Sequence, residues 1–500
     1  MTLGAAMNSV ILLVCPKPNT HKLELQPWYS GWVPRAGWVK PQDDQRLSDH
    51  VALGVLTRTF PPGLVDAVVE STGRAEQRNR LLPARLVVYY VLALALFSQS
   101  GYEEVMRSLV EGLAWETGWQ QHWSVPSQPA ISQARARLGE EPLKELFKRA
   151  CVPFATEATL GAFYRRWRLM SIDGSCLDLA DTPENDAAFG RPGSGRGEKV
   201  GAFPQLRLVA LGECGTHALV GVAIGACREG ETTLARGLLE RVGEGMLVLA
   251  DRNFFGFELW NEVRAAGAEL VWRTKSNHSL PIDERLPDGS YLSHVQANKD
   301  RRRLNNPVVV RVVAYDIDDP GRRQVGDNDY RLITTITDPT LAPARELAAL
   351  YPERWEFETT LDELKTHQRG PRVVLRSKSP ETVRQEVYGY LCTHYAIRAL
   401  MAETARHNGI DPDRVSFTGA LRASRRSVRQ GLGTAAQVLT AGLRLAVVEI
   451  SDGLLPERRL RSAPRVVKRK MSNYQVKRPN HRDWPQPTRP SADAIQILGT

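Results

Sequence analysis

The hydrophobic pattern of the chain changes period near Trp167, and this change restricts the folds that the chain can adopt. Upstream, apolar residues recur with helical spacing, as around the apolar run Arg85–Phe97. Downstream, short aliphatic runs are separated by turns or by helical stretches; these runs are Leu169–Asp173, Gln205–Leu211, His217–Ile224, Met246–Ala250 and Glu269–Arg273. Strands that alternate with helices predict a mixed α/β sheet layered with helices.

Shifts in composition divide the chain into segments. The predicted segments are a loose arm at 1–45, a helical domain at 46–160, two parts of an α/β core at 161–275 and 341–445, a β-rich insertion at 276–340 and a basic tail at 446–500. The insertion is predicted because three strand-like runs follow one another there without a helix between them. The tail is rich in Pro, Arg and Lys, a composition typical of disordered segments that bind phosphate groups.

The charge balance indicates an anionic partner. The chain has 500 residues and a formal net charge of +10, which suits nucleic acid or a membrane surface if the excess is clustered. No apolar run approaches the ~18 residues of a membrane span. No Cys-x-x-Cys pair indicates a zinc site or a disulfide framework. In the helical domain, Arg135 and Arg137 lie on a predicted short helix, Ser127–Gly139, and suit either a DNA contact or a packing face.

Two aspartates lie where two of the predicted strands end. Asp173 closes the run Leu169–Asp173, and Asp251 directly follows the run Met246–Ala250. Ligands of open α/β sheets gather at the carboxyl ends of the strands, so this position suits catalysis. Each aspartate also has a purely structural alternative, which is a turn residue for Asp173 and a helix N-cap for Asp251.

The segment Tyr351–Lys365 supplies a candidate third carboxylate. If the segment is one continuous α-helix, a narrow stripe between roughly 300° and 20° holds several of its side chains. The members of this stripe are Tyr351, Arg354, Glu358, Asp362 and Lys365. Such a stripe suits a metal ligand placed between phosphate contacts, although a solvated face with ion pairs is the commoner explanation for an isolated helix. Spacing alone does not choose between Glu358 and Asp362.

Three carboxylates without a His or Cys cluster form a hard-oxygen site. Such a site suits Mg²⁺, with Mn²⁺ as a substitute, rather than zinc. Two such ions about 3.5–4 Å apart activate a water or hydroxyl and stabilise the leaving oxygen in a phosphodiester displacement. The candidate ligands are Asp173, Asp251 and Glu358.

The spacing Tyr-(2)-Arg-(3)-Glu-(6)-Lys within Tyr351–Lys365 matches the signature of the DDE transposases of the bacterial insertion sequence four family at every position. The sequence around Asp173, from Ser-Ile-Asp-Gly-Ser to Asp-Thr-Pro-Glu-Asn, resembles the sequences of that family. The segment Leu-Ala-Asp-Arg-Asn-Phe-Phe-Gly around Asp251 resembles them too. The resemblance covers about residues 47–445, which leaves out the arm and the basic tail.

The resemblance implies an RNase H-like mixed-sheet core, interrupted by the β-rich insertion and flanked by the N-terminal helical domain and C-terminal helices. In such a core, Asp173, Asp251 and Glu358 would be the catalytic metal ligands. Arg354 and Lys365 would hold phosphates near the cut, and Tyr351 would contact the DNA of the element end. An aromatic side chain would hold a flipped base; the candidates are Trp272 and Tyr291, and Trp272 fits the strand core equally well.

The function that the resemblance implies is metal-dependent cutting of insertion-sequence ends and their joining to target DNA. The expected partners are double-stranded DNA with terminal inverted repeats, target DNA and further copies of the chain in a dimeric or larger synaptic complex, in the bacterial cytoplasm at the nucleoid. Further DNA contacts are predicted at the basic residues Arg301, Arg302, Arg303, Lys468, Arg469 and Lys470. The alternatives are an RNase H-like nuclease or resolvase, and a transposase-derived DNA-binding protein without catalysis.

Overall fold

The computed structural model describes residues 54–499, apart from 79, 117–124, 194–200, 298–306, 320, 322–329, 371–373, 431–435, 457–465 and 468–474. The helices are α1 Val55–Thr59, α2 Pro62–Ser71, α3 Ala84–Leu96, α4 Tyr102–Glu116, α5 Gln128–Leu138, α6 Glu141–Ala150, α7 Pro183–Phe189, α8 Glu231–Ala235, α9 Phe257–Ala265, α10 Ala344–Leu350, α11 Arg354–Asp362, α12 Pro380–Asn408, α13 Phe417–Gln430 and α14 Ala436–Ser451. The predicted arm at 1–45 lies outside the described residues.

The strands form one large sheet and one two-stranded sheet. They are β1 Phe163–Tyr164, β2 Trp167–Asp178, β3 Gln205–Glu213, β4 Leu219–Ala226, β5 Met246–Ala250, β6 Glu269–Arg273, β7 Glu284–Arg285, β8 Tyr291–Val295, β9 Val308–Ile317, β10 Tyr330–Thr334, β11 Val466–Val467, β12 Gln475–Val476 and β13 Ile495–Ile497. The order in the large sheet is β4-β3-β2-β5-β6-β10-β9-β8-β7, with β1 on β2 and β13 on β9.

The strand directions give the sheet an RNase H-like centre. Strands β2, β3 and β4 pair antiparallel, whereas β5 runs parallel to β2 and β6 runs parallel to β5. The β-rich segment then extends the same sheet, because β10 pairs antiparallel with β6 at Ile333 and Trp272. The predicted mixed α/β fold with an RNase H-like core is therefore confirmed.

Both faces of the central strands are buried. In β5, Leu247 and Leu249 pack into the cluster that contains α10 and Tyr351, whereas Val248 and Ala250 belong to the larger cluster on the other face. This explains why the central runs read as continuous aliphatic sequence rather than as alternating apolar and polar residues.

The helical domain packs against the sheet domain through the long helix α12. Helix α3 is buried along its whole length, and its crossing with α12 is close because a Cβ at Gly389 would lie 2.8 Å from Val91 Cγ1. Arg135 on α5 is buried and donates to Gln385 Oε1 and Ser377 Oγ. Arg135 is therefore a packing residue. Of the two roles considered for it, the DNA contact is wrong.

Two predictions from the sequence are wrong, namely the end of strand β2 and the disorder of the whole tail. Strand β2 does not close at Asp173 but continues to Asp178, because β3 pairs with it from Met170 to Asp178, with Asp178 opposite Gln205. The tail is not disordered throughout, since β13 pairs with β9, where Ile495 lies opposite Ile317. A three-residue strand is too short to leave a periodic signal in a basic, Pro-rich sequence.

No helix among the described residues is long and apolar enough to cross a membrane.

Candidate active site

The first two carboxylates lie next to each other at the centre of the sheet. The parallel pairing of β2 with β5 ends at Ile172 and Ala250, so Asp173 and Asp251 are the next residues on neighbouring strands. Asp173 Oδ1 accepts a hydrogen bond of 2.8 Å from its neighbour's amide, Gly174 N. Asp173 therefore lies within its own strand but at the point where the neighbouring strand ends.

Asp251 opens a turn rather than a helix. Its Oδ1 accepts from Asn253 N at 2.6 Å, and helix α9 begins only at Phe257, after Gly256. The helix N-cap alternative for Asp251 is therefore wrong. The turn holds the carboxylate at the end of β5, on the side of Asp173.

Helix α11 places Glu358 near Asp173, and the side chain of Arg354 connects these two carboxylates. Arg354 Nη2 donates to Glu358 Oε1 at 2.9 Å, and Arg354 Nη1 lies 3.8 Å from Asp173 Oδ2. The Arg354 side chain is almost completely buried, whereas Glu358 is partly exposed at 42%. Arg354 thus lies between the first and third carboxylates, beneath a surface that Glu358 reaches.

The pKa of Asp173 shows that the three carboxylates interact. Burial, together with the smaller effects of the negative charges of Glu358 and Asp251, raises this pKa to about 6, although the Gly174 amide and Arg354 act in the opposite direction. One guanidinium does not neutralise three carboxylates, so the site retains negative charge. Hard oxygen donors with excess negative charge fit a divalent cation.

Asp362, the alternative to Glu358 as the third carboxylate, lies in a more exposed environment. Its side chain is 60% exposed, accepts a hydrogen bond of 2.6 Å from Thr366 Oγ1 and lies 3.7 Å from His367 Nε2. Glu358, in contrast, shares Arg354 with Asp173. The geometry therefore favours Glu358 as the third member of the site.

Two family models match successive parts of the chain. Residues 50–148 match the model described as "Insertion element 4 transposase N-terminal", and residues 168–395 match the "Transposase DDE domain". The chain belongs to the insertion element 4 family of DDE transposases. It is thus an enzyme that cleaves DNA and transfers DNA strands, and it depends on a divalent metal.

Curated relatives agree with the family. The chain is 28% identical over 436 residues to "Transposase InsG for insertion sequence element IS4" of Escherichia coli (strain K12), covering 86% of this chain and 92% of that protein. It is 25% identical over 234 residues to "Putative transposase InsZ" of the same organism, covering 47% of this chain and 72% of that protein.

A solved structure is more distantly similar. The cryo-EM structure of the piggyBac transposase synaptic complex with hairpin DNA shares 11% identity with the chain at a TM-score of 0.40, over 81% of this chain and 85% of that chain. A likeness of this strength is too weak to support a comparison of sites.

The helical region 351–368 is not one continuous α-helix, which is the condition on which the predicted stripe depended. Tyr351–Glu353 form a 3-10 turn, α11 follows, and Glu363–Gln368 form a π-helical segment. Pro352 lacks an amide hydrogen, which breaks the regular hydrogen-bond pattern at the start. The wider π turn then changes the direction of every later side chain, including Lys365, relative to the predicted stripe.

Tyr351 and Lys365 lie at opposite ends of this helical region. Tyr351 is buried, and its hydroxyl donates to the carbonyl of Ala250 at 3.2 Å, next to Asp251. Lys365 is half-buried, and within the described part of the chain no hydrogen bond or ion pair of its side chain is observed. The predicted DNA contacts of Tyr351, Arg354 and Lys365 stay predictions. Tyr351 and Arg354 are buried, whereas Lys365 is half-buried.

Several predicted contacts are placed elsewhere or not described. Arg301, Arg302, Arg303, Lys468, Arg469 and Lys470 lie outside the described residues. Trp272 is fully buried and packs edge-to-face against Trp260 at 5.3 Å, so it is a core residue rather than a base-holding one. Tyr291 is 9% exposed on β8.

The sequence analysis missed a buried ionic cluster behind α11. The members of this His217 cluster are His217, Glu356, Glu363, His394, Arg398 and Asp413. His217 Nε2 lies 3.2 Å from Asp413 Oδ1 and 3.4 Å from Glu356 Oε2, and its Nδ1 lies 3.7 Å from Glu363 Oε1. Arg398 Nη1 donates to the same Glu363 oxygen at 3.2 Å.

The cluster is held by protonated His217. Burial and Arg398 lower the pKa of His217, but Asp413, Glu356 and Glu363 outweigh them and raise it to about 10. The ligand atoms of His217, Glu356 and Asp413 lie within 4.8 Å of one another, as a metal site would require. Without a metal ion, the raised pKa keeps His217 protonated at neutral pH, so it acts as an ion-pair partner of these carboxylates.

A second contact fixes α11 on the sheet. Phe357, next to Glu358, lies over Gly212 of β3, where an added Cβ would be 2.2 Å from Phe357 Cε2. Helix α11 therefore presents Glu358 to the site while Phe357, Glu356 and Glu363 anchor its other sides. On a helical wheel, Glu356 and Glu363 lie near roughly 140° and 120°, away from the Glu358 stripe. This shared direction is the one sequence signal that could have indicated the cluster.

Proposed function

We propose that this transposase binds two Mg²⁺ ions through Asp173, Asp251 and Glu358, and that Mn²⁺ can replace Mg²⁺. The proposal is supported mainly by one observation, which is that Asp173 on β2 and Glu358 on α11 flank Arg354, while Asp251 follows the end of β5, the strand next to Asp173. When bound, the ions would activate the attacking water or hydroxyl and stabilise the leaving oxygen of the phosphodiester.

The surrounding residues have separate roles in this proposal. Arg354 orients the Glu358 carboxylate towards Asp173 and screens their repulsion until the cations bind. The Tyr351 hydroxyl holds the end of β5, which sets the position of Asp251. Lys365 binds a DNA phosphate beside the cut, because a half-buried ammonium without a protein partner in the described chain suits an anionic ligand.

The proposed substrates are double-stranded DNA carrying terminal inverted repeats and a target duplex, joined in a dimeric or larger synaptic complex at the bacterial nucleoid. Two further proposed DNA contacts are the basic residues 301–303 and 468–470. Phosphate contacts by Lys and Arg would make binding strongly dependent on salt.

The test is cleavage and strand transfer on DNA with the inverted repeats that flank the reading frame. Glu358→Gln removes a proposed ligand, and Asp362→Asn is the matched control, because it makes the same carboxylate-to-amide change on the exposed side of α11. We expect Mg²⁺-dependent cleavage by the wild type and by Asp362→Asn, and none by Glu358→Gln.

The products separate the remaining alternatives. Joining of cut ends to a target distinguishes a transposase from an RNase H-like nuclease or resolvase. Equal activity of the wild type and Glu358→Gln would remove Glu358 from the site, and loss of activity in Asp362→Asn alone would transfer its role to Asp362.

A further inference from the structure

Three arginines from α13 converge on a cavity that the catalytic machinery does not use. The cavity has a volume of about 290 Å³, which can admit a phosphate group. Its lining residues are Phe97, Gln99, Ser100, Arg422, Arg425 and Arg426, so no carboxylate among the described residues lines it. We call this feature the α13 arginine pocket.

The arginines are arranged to leave donors for a ligand. Arg425 is half-buried, and its Nε donates to the carbonyl of Leu96 at the end of α3, at 2.7 Å, which fixes the guanidinium plane. Arg422 and Arg426 are exposed and one helical turn apart, and Arg426 pairs with Glu449 on α14. A guanidinium has five N–H donors, so these contacts leave several donors of the three side chains for an anion.

Holding three arginines together has an electrostatic cost. Like charges at i and i+4 on a helix destabilise it, and Arg425 lies between the two others in sequence. Burial lowers the pKa of Arg425 and Arg422 lowers it further, whereas Tyr390 raises it. A bound phosphate would relieve this repulsion, and arginine clusters are the usual protein sites for phosphate.

The opposite wall of the pocket is held in place by the catalytic region. Ser98 Oγ donates to the carbonyl of Gln368 at 2.7 Å, and Gln99 Nε2 donates to the carbonyl of Arg369 at 2.9 Å. Arg376 Nη1 donates to the Ser100 carbonyl at 2.6 Å. The loop is thus preorganised, which reduces the entropic cost of binding a ligand.

These hydrogen bonds also locate the pocket relative to the active site. Gln368 ends the π-helical segment that begins at Glu363 and contains Lys365. The pocket wall therefore contacts the backbone within about one helical turn of Lys365, at the end of the catalytic helical region. A duplex whose phosphate contacts Lys365 has further phosphates within reach of α13, because phosphates follow each other closely along a strand.

We propose that the α13 arginine pocket binds the phosphodiester backbone of duplex DNA beside the Lys365 contact. The inference rests on the proposed function, since it takes the DNA of the transposition reaction as the ligand. Phosphate contact positions a duplex without reading its sequence. The pocket would therefore fix the path of the DNA past the active site rather than select the terminal repeat.

The test compares two charge-matched double variants of the full-length protein in binding to a mixed-sequence duplex over a range of salt concentrations. Arg422→Gln/Arg426→Gln removes two exposed arginines of the pocket. The control Arg236→Gln/Arg264→Gln also removes two exposed helical arginines, and Arg236 is paired with Glu262 as Arg426 is with Glu449. Arg425 is left intact because it bonds the end of α3.

We expect the pocket variant to lower the slope of log K against log salt by about 1 for each lost phosphate contact, and the control to keep the wild-type slope. Arg422→Lys/Arg426→Lys should keep most of the slope, because it keeps the charges. Equal slopes for the wild type and the pocket variant would overturn the inference, as would an equal fall in the control. A changed self-association with an unchanged slope would overturn it in favour of a protein interface.

Activity assays then identify which duplex the pocket holds. Loss of cleavage at element ends assigns the pocket to the end DNA, whereas loss of joining alone, with pre-cut ends, assigns it to the target. A wild type that neither binds duplex nor cuts DNA would instead contradict the proposed function, so the two failures are distinguishable.

Discussion

Replacing His217 by asparagine should both destabilise the transposase and weaken the proposed metal site at Asp173, Asp251 and Glu358. His217 has a backbone φ of 58°, in the left-handed region where Asn is among the best-tolerated non-glycine residues. His217→Asn therefore removes the positive charge with little added backbone strain. The change leaves Glu356 and Asp413 without the cation that they share.

The expected loss of stability can be worked out from two directions. Raising the pKa of a histidine from about 6.5 to about 10 corresponds to on the order of 5 kcal/mol of stabilisation, at about 1.4 kcal/mol for each pKa unit. Removal of one partner from a buried ion pair costs about 3–5 kcal/mol in other proteins. From the lower of these two magnitudes, we expect a loss of about 3 kcal/mol or more.

The sign of the pH dependence provides a second measurement. The folded-state pKa of His217 is raised, so its contribution to stability is fully present below the unfolded value of about 6.5 and is lost as the pH rises to about 10. The unfolding free energy of the wild type should therefore fall over this window. His217→Asn should show a flatter dependence there.

Chemical denaturation followed by tryptophan fluorescence at several pH values measures both effects. His294→Asn is the control, because His294 is paired with Asp283 at the protein surface, and such pairs contribute about 0.2–1 kcal/mol. The same proteins should be titrated with Mg²⁺ in the cleavage assay. A displaced α11 should raise the Mg²⁺ concentration that gives half-maximal activity in His217→Asn, since second-shell changes weaken metal sites about 10–100-fold.

The result that would refute this reasoning is specific. If His217→Asn unfolds at the same denaturant concentration and with the same pH dependence as the wild type, the His217 cluster is not an ion-paired anchor. A restored stability in His217→Asn/Glu356→Gln would support it, because the second change removes a negative charge that the first deprives of its buried histidine cation.

Other changes test the remaining contacts of α11. Gly212→Val should destabilise the protein by about 1–3 kcal/mol, because the new side chain meets Phe357; a thermal unfolding curve like that of the wild type would contradict this packing. Arg354→Lys should slow cleavage by about 10-fold or more, measured at saturating Mg²⁺, since Lys cannot contact Glu358 and Asp173 together with the same fork geometry. Tyr351→Phe removes one buried hydrogen bond and should cost about 1 kcal/mol in unfolding experiments, with a smaller loss of cleavage than Glu358→Gln.

The sequence alone was sufficient for the fold class and the family. Strand runs and turn positions predict an α/β core, because the central strands are aliphatic on both faces and carry a strong local signal. The spaced residues Tyr351, Arg354, Glu358 and Lys365 identify the family because four residue types at three fixed spacings rarely coincide by chance. Site membership follows from that resemblance rather than from helical spacing, which left Asp362 open.

The sequence was insufficient where long-range contacts decide the local structure. The π-helical segment has no distinct periodic signal, and its Glu363 is paired with His394 and Arg398, about 30 residues further along the chain. Strand β2 exceeds its predicted length because β3 supplies a partner for residues after Asp173. Such features depend on partners that are distant in sequence, which a local reading does not include.

The two faces of α11 explain why Glu358, the proposed third metal ligand, needs a buried anchor. Glu358 must approach two other carboxylates, so before cations bind, repulsion pushes α11 away from the sheet. Arg354 offsets this repulsion within the site, whereas protonated His217 and Arg398 hold Glu356 and Glu363 behind the helix. These attractions act on α11 and on the π-helical segment that directly follows it, so Glu358 can be held near Asp173 although one arginine does not neutralise the site. An apolar anchor could fix the helix equally well, but the charges at 356 and 363 make the position of α11 depend on His217 and therefore on pH.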